Sequence, residues 1–265
     1  MHLQPHSPEW YDRLATMQDG YYYPWGAQLA PWNGEDTYGD LVHQHLRPEL
    51  DVLDVACGHG EVALSIAPLC RSVLGYDRIS SWIERAQRTA QDQGLTNASF
   101  VCHDSSREAN GGHPRLPGGV AAFDLLICRR GPFHWMVDAL RVARPGAVLL
   151  MLVPDARPIP PWNDWLPETL RLLPASDPHW VRPSIEQQLA AGGLALHSWW
   201  SFEVPEYFPG PEPLYDFLIW GWTAGEVPSF PEMQPILAQI FAEYGTPIGV
   251  EVRHIRHLWK AVVPA

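Results

Sequence analysis

The chain has 265 residues, 30 acidic against 18 basic, and a formal net charge of −12; 46% of it is hydrophobic and 18% charged. This composition excludes a disordered chain and suits one large α/β domain with a cap or insertion. Its acidity works against phosphate neutralisation, so a nucleic-acid partner would need a local gathering of arginines, Lys260 being the only lysine.

The four cysteines, Cys57, Cys70, Cys102 and Cys128, have no CxxC spacing and lie in or beside apolar runs, which reads as reduced core thiols. No apolar stretch approaches the length of a membrane span. Met1 to Glu9 is polar and does not read as a signal peptide, so a cytoplasmic location is expected.

Along the chain, residues 1–45 are rich in aromatics, with Trp10, Tyr11, Tyr21, Tyr22, Tyr23, Trp25, Trp32 and Tyr38. Tyr21–Pro24 reads as loop or extended chain, and Glu35–Leu46 as a helix ending before Pro48. Asp51–Ala56 is a short apolar run leading into the turn Cys57-Gly58-His59-Gly60, and Glu61–Leu69 follows as a helix. Ser72–Tyr76 is a second strand closing on Asp77. Ser80–Gln93 is a helix with Trp82, Ile83, Ala86 and Ala90 on one face, ended by Gly94. Ser99–Cys102 and Phe123–Cys128 are further strands. Trp135–Ala143 is a helix stopped by Pro145-Gly146, and Ala147–Val153 is a fifth strand. Strands that are apolar throughout and alternate with helices imply a parallel sheet covered on both faces.

The regularity breaks after Pro154. Residues 154–183 hold eight prolines and several tryptophans, which suits an insertion better than a linker. Ser184–Ala191 is a short helix, Leu194–Glu203 a strand, Pro213–Trp222 and Glu232–Tyr244 helices, and Val250–Val263 the last strand region.

The decisive segment is Asp51-Val-Leu-Asp-Val-Ala-Cys-Gly-His-Gly60. It runs strand, glycine turn, helix; the glycines admit close backbone approach, and the helix start offers free N–H groups. Gly58-x-Gly60-x-x-Ala63 also satisfies a dinucleotide fingerprint. Asp54 separates the two readings. A carboxylate at that strand end repels a pyrophosphate, but it favours the α-ammonium and sulfonium of S-adenosylmethionine.

DVLDVACGHGE resembles motif I of the class I S-adenosylmethionine-dependent methyltransferases, with Ala56 in place of the first glycine. The second strand ends Leu-Gly-Tyr-Asp77, similar to the family's ribose-binding acid and 17 residues past Gly60. Phe-Val-Cys-His-Asp104-Ser105 resembles the place where an acid meets the adenine amine. Phe123–Arg130 resembles motif IV, and Arg-Val-Ala-Arg-Pro-Gly-Ala the turn into strand five. The resemblance covers about residues 45–153. It implies a doubly wound, mostly parallel seven-stranded α/β sheet, with an N-terminal helical lid over 1–45. Residues 46–265 would then be the methyltransferase domain, carrying insertions at 154–183 and 205–245.

The resemblance implies cofactor contacts from Asp54, Ala56, Cys57, Gly58, Gly60, Asp77, Arg78, Asp104, Ser105 and Cys128, with no metal. Each acid keeps a plainer alternative: a helix cap for Asp54 and Asp77, an ordinary turn for Asp104. Ile79 and Trp82 flank the adenine or sit in the core. The acceptor side lies past the fourth strand, at Cys128 to His134. There Arg-Arg-Gly-Pro replaces the [D/N/S]-P-P-[Y/F] of amino-methylating members. Arg129 and Arg130 would pair with an anionic substrate group, or equally with carboxylates such as those of the Asp54 or Asp104 turns. His134 is the candidate base, needed only for a protic acceptor; His197, His254 and His257 carry no ranking.

Tyr21–Trp25 and Trp32 are lid candidates, Trp25 also a substrate contact, and the regions 162–165 and 215–222 candidate walls. The expectation is methyl transfer to a small, anionic or aromatic acceptor. The alternatives are an RNA methyltransferase with a basic face from Arg129, Arg130, Arg141, Arg144 and Arg157, a non-catalytic cofactor-binding protein, and a nicotinamide-dependent oxidoreductase.

Overall fold

The computed structural model describes residues 3, 6–173 and 180–265. Residues 174–179 of the proline-rich segment lie outside it. In chain order the main elements are α1 (Pro8–Met17), β1 (Gln28–Leu29), α2 (Glu35–His45), β2 (Asp51–Val55), α3 (Glu61–Ile66), β3 (Ser72–Asp77), α4 (Ser80–Asp92), β4 (Ala98–Cys102), β5 (Phe123–Arg129), α5 (Met136–Val142), β6 (Ala143–Asp155), α6 (Val181–Ala191), β7 (Leu196–Phe208), α7 (Pro211–Leu218), α8 (Phe230–Tyr244), β8 (Gly245–Thr246) and β9 (Gly249–Val262).

One sheet runs in the order β1-β7-β9-β6-β5-β2-β3-β4, with β8 paired to β9. From β4 to β6 all pairings are parallel, and β9 enters antiparallel between β6 and β7. The expected seven strands are therefore joined by two more, β1 and β8, of two residues each. The chain winds outward from β2 through β3 and β4, then returns to the other side of β2 with β5. The carboxyl ends of β2 and β5 thus flank the topological switch point, where α/β sheets bind ligands.

Alternation along the strands explains why they are apolar on both faces. Leu53, Val55, Leu126, Cys128, Leu149 and Met151 pack with α5 and α6. Val52, Leu125, Ile127, Leu150 and Leu152 pack with α2, α3 and α4.

Several boundaries differ from the sequence expectation. α3 tightens into one 3-10 turn at Ala67–Leu69, because Pro68 has no N–H for the next helical bond. α5 stops at Val142, before Pro145-Gly146, since Ala143 is already extended (φ −81°, ψ 142°) and pairs with Phe123. β7 continues to Phe208, so the helical stretch expected from 205 begins at Pro211. There α7 and α8 share a third core with Trp162, Leu166 and Leu170 from the proline-rich segment, closed by Phe208, Val250 and Val252 at the ends of β7 and β9. Among the described residues no helix is long and apolar enough to cross a membrane.

Candidate functional site

The glycine turn at the end of β2 is backbone-driven. Ala56, Gly58 and Gly60 all take positive φ, at 51°, 57° and 83°. For Ala56 this left-handed conformation costs about 1–2 kcal/mol. A Cβ on Gly60 would stand 2.8 Å from the Phe100 ring and 2.9 Å from Ala86, so no side chain fits there. The Cys57 N–H donates to the Tyr76 carbonyl at 2.9 Å, anchoring the turn to β3.

Two buried carboxylates hold this turn. Asp77 accepts from the Gly58 N–H at 2.9 Å and the Ile79 N–H at 3.0 Å. Asp54, 2% exposed, accepts from the Ala63 N–H in the first turn of α3 at 3.2 Å. Both acids therefore do cap backbone groups, and each keeps acceptor capacity, since a carboxylate has about four lone-pair sites. Burial pushes Asp54 up to about 7, against the opposing pull of Arg129 and the Ala63 N–H. Burial raises Asp77 too, opposed by the N–H groups it holds.

The N-terminal segment folds over this turn. Arg78 donates to the Pro8 carbonyl and pairs with Asp12 at 2.7 Å, tying α1 to the β3–α4 turn. Ile79 and Trp82 are thereby packed with Trp10 and Leu14 of α1. The Tyr21 N–H donates to His59 Nδ1 at 3.2 Å, and a Cβ on Gly58 would lie 3.4 Å from the Tyr21 Cβ. From Tyr21 the chain is extended and alternates. Tyr21, Tyr23 and Trp25 turn inward, while Tyr22, Pro24 and Gly26 are exposed. Trp220 meets Trp10, Tyr21, Tyr23 and Trp25 at ring separations of 4.8 to 5.7 Å. Trp32, expected in the lid, is 79% exposed and takes no part; Trp162, expected as a wall, is 1% exposed in the third core.

Past β4, Asp104 accepts from the Ser106 N–H at 2.8 Å and is exposed, an ordinary Asx turn in this state. Ser105 is buried and accepts from the Tyr76 hydroxyl at 3.0 Å. Its own hydroxyl then reaches His134 Nε2 at 2.9 Å, so that ring nitrogen is already engaged. Burial lowers the His134 pKa, opposed by the nearby Asp104 and Glu108. Cys128 is fully buried, and burial raises its thiol pKa.

The two arginines after β5 find carboxylates, one of them Glu61 at the end of the Asp54 turn and the other Glu35 of α2. Arg129 pairs with Glu61 and lies 3.9 Å from Glu35; Arg130 pairs with Glu35 and lies over the Tyr23 ring at 4.7 Å. Arg256 reaches the same Glu35 at 3.6 Å. Tyr38, packed beneath, has a buried hydroxyl with no hydrogen-bond partner.

At the carboxyl ends of β6 and β7 and the start of β9 sits a group that sequence reasoning left unassembled. Glu206, 5% exposed, accepts from Trp25 Nε1 at 2.9 Å and from His254 Nε2 at 2.6 Å. Burial pushes Glu206 up, but its hydrogen bonds from His254 and Trp25 and the charge of Arg157 bring it below the usual carboxylate range. An ionised carboxylate only accepts, so Nε2 carries the proton and Nδ1 the lone pair. Burial lowers His254 more than Glu206 raises it, keeping the ring neutral near pH 7. Arg157 lies over the Phe217 ring at 4.7 Å, and Phe217 faces His254 edge-on at 6.2 Å. The other two unranked histidines lie elsewhere: His257 bridges Ser201 and Asp155, and His197 bonds Ser198. The one sequence signal for this group was the inward alternation of Tyr21, Tyr23 and Trp25.

Residues 52–146 match a family model described as a methyltransferase domain. The chain is 29% identical over 157 residues to the uncharacterized methyltransferase YcgJ of Bacillus subtilis (57% of this chain, 58% of YcgJ). It is 34% identical over 114 residues to the 23S rRNA (uracil(1939)-C(5))-methyltransferase RlmD of Psychromonas ingrahamii (37% and 26%). It is 30% identical over 115 residues to the 2-heptyl-1-hydroxyquinolin-4(1H)-one methyltransferase of Mycobacteroides abscessus (42% and 49%). The chain thus spans between about a quarter and three-fifths of the length of these relatives. Among solved structures, a functionally unknown protein from Deinococcus radiodurans R1 shares the fold across 96% of this chain and 98% of its own, at a TM-score of 0.64 and 23% identity. With the glycine turn, its two buried acids and the strand order in place, the chain carries a class I S-adenosylmethionine-dependent methyltransferase domain.

Proposed function

We propose that the chain transfers the methyl group of S-adenosylmethionine to a small-molecule acceptor bound beneath its N-terminal segment. The observation that carries this reading is the roof formed by Tyr21, Tyr23 and Trp25, which runs from the glycine turn to Glu206 and is locked by Trp220. A site so covered suits a small acceptor and excludes water.

The residues present fit the cofactor. Asp54 is placed for an α-ammonium, and the orphaned Tyr38 hydroxyl beside it would gain a partner there. The turn Ala56, Cys57, Gly58 and Gly60 would offer the cofactor bare backbone, with Gly60 kept free of a side chain by Phe100 and Ala86 packed behind it. Asp77 has lone pairs left for ribose hydroxyls. In this reading Asp104 and Ser105 would meet the adenine and Cys128 the reacting end, with Arg78 holding α1 in place. The cofactor, when bound, supplies an electrophilic methyl group; the protein supplies alignment and a dry pocket.

A protic acceptor needs a proton acceptor. His134 Nε2 is engaged by Ser105, whereas His254 presents Nδ1 with its tautomer and orientation fixed by Glu206, so His254 takes the role first given to His134.

Ion pairing of the arginines supports the small-molecule reading over the RNA alternative. Arg141 pairs with Asp138, Arg144 with Asp51 and Asp124, and Arg129 and Arg130 with Glu61 and Glu35, while Arg157 points into the site. The direct test supplies methyl-labelled S-adenosylmethionine together with total RNA or with a low-molecular-weight cell extract. Label entering the small-molecule fraction, and not RNA, is expected. Label in RNA, or in neither fraction, contradicts the proposal.

A further inference from the structure

The chain is strongly acidic, yet the acceptor end of its site is not. Four guanidinium groups converge there: Arg129, Arg130, Arg157 and Arg256. The carboxylates acting on them are Glu35, Glu61, Glu206 and the buried Asp54, whose pKa burial raises to about 7. Glu35 is shared by Arg130, Arg256 and, at the longer 3.9 Å, Arg129. Glu206 is committed on both oxygens, to Trp25 and to His254. Among the described residues no carboxylate lies within ion-pair distance of Arg157. Its recorded partner is the Phe217 ring, and it retains some open surface. The neighbouring histidines favour their neutral forms and add little further positive charge: burial lowers the pKa of His254, and that of His6 to about 4. Glu206 acts on Arg157 electrostatically without pairing with it; a guanidinium so deep among side chains and without an ion-pair partner is costly, and a stacked ring offsets only part of that cost.

Resting on the methyl-transfer reading above, we propose that the acceptor is an aromatic monocarboxylate whose acid group pairs with Arg157, its ring lying among Tyr23, Trp25 and Phe217. A single guanidinium without an ion-pair partner matches one negative charge, and its planar fork fits a carboxylate bidentately. A phosphate monoester brings close to two charges and calls for a second cation that Glu35 has already taken. The flanking rings, with Tyr23 and Trp25 stacked at 4.8 Å and Phe217 edge-on to Trp25 at 5.2 Å, select a flat partner. The pairing also orders the site, because the carboxylate would sit next to His254 and direct the remainder of the acceptor back towards the glycine turn.

The test is binding, measured by titration calorimetry with saturating S-adenosylhomocysteine. The probes are salicylate, 4-hydroxybenzoate and indole-3-acetate, each paired with its carboxamide. At least one carboxylate is expected to bind about tenfold or more tightly than its amide, and Arg157→Met to erase that preference while leaving S-adenosylhomocysteine affinity unchanged. Equal affinity within every pair, no saturable binding of any probe at millimolar concentration, or an undiminished preference in the variant overturns the proposal. Should Arg157→Met fail to fold, the acid-to-amide comparison on the wild type decides alone. Absence of S-adenosylhomocysteine binding is a different failure, since it strikes the methyl-transfer reading itself.

Discussion

Asp54 shows how one side chain serves folding and ligand binding against each other. Burial raises it to about 7, from an ordinary value near 3.9. Between those two values the folded chain holds a proton that the unfolded chain has released, so Asp54 makes the ligand-free protein less stable as pH rises from about 4 to about 7. Asp54→Asn removes this titration and keeps an oxygen for the Ala63 N–H. At pH 8 the ligand-free variant should be more stable than wild type by on the order of a few kcal/mol, and so melt higher, and it should bind S-adenosylhomocysteine at least about tenfold more weakly. A lower melting temperature at pH 8 together with undiminished affinity would show that Asp54 is only a helix cap. At this scale the glycine turn was legible because its signal is backbone: a positive φ or a missing Cβ is written in Gly58 and Gly60 themselves. The partners of Arg129 and Arg130 were not, because Glu35 arrives from the helix before β2 and nothing local in the sequence announces it.

At the scale of elements, the covering segment is held by few but specific contacts. α1 buries only Trp10 and Leu14, and its hold on the sheet is the Arg78 clamp together with the Trp220 ring cluster. Trp220→Ala deletes five ring pairs, the aromatic ones each worth about 0.5–1.5 kcal/mol beyond the area buried. Because these pairs join the cover to the turn after α7 and not to the central strands, the loss should be local. Hydrogen exchange should speed up across residues 8–25 while β2, β3, β5 and β6 keep their protection, and S-adenosylhomocysteine should bind more weakly. Uniform loss of protection across the sheet would mean that the cluster belongs to the global core. The sequence marked Tyr21–Trp25 as a cover through its density of rings, but density alone also pointed to Trp32 and Trp162. One of these is in solvent and the other in the third core. What separates them is the period-two alternation of Tyr21, Tyr23 and Trp25, which fixes a common side, whereas Trp32 and Trp162 stand outside any such pattern.

Across the whole molecule, the half built from continuous strand–helix units was readable, and the acceptor half was not. β2 to β6 follow from apolar runs and turn signals taken in order, and the sheet order then places the switch point at Asp54 and Arg129. The acceptor end is assembled from Trp25, Arg157, Glu206, Phe217 and His254, brought together by the long antiparallel β7–β9 ladder and the two helices that connect its strands. No spacing rule links residues so far apart in the chain, and Arg157 in particular reads from sequence as one more surface arginine. The account rests on the glycine turn and its two acids forming a site for the methionine-derived cofactor. Calorimetric titration of S-adenosylmethionine, S-adenosylhomocysteine and NAD(H) into wild type and into Asp77→Ala measures this most directly. Dissociation constants on the order of micromolar for the first two, none for NAD(H), and loss of both in a variant that remains folded are predicted. Binding of NAD(H) instead, or affinity for S-adenosylhomocysteine that survives removal of the Asp77 carboxylate, would contradict it.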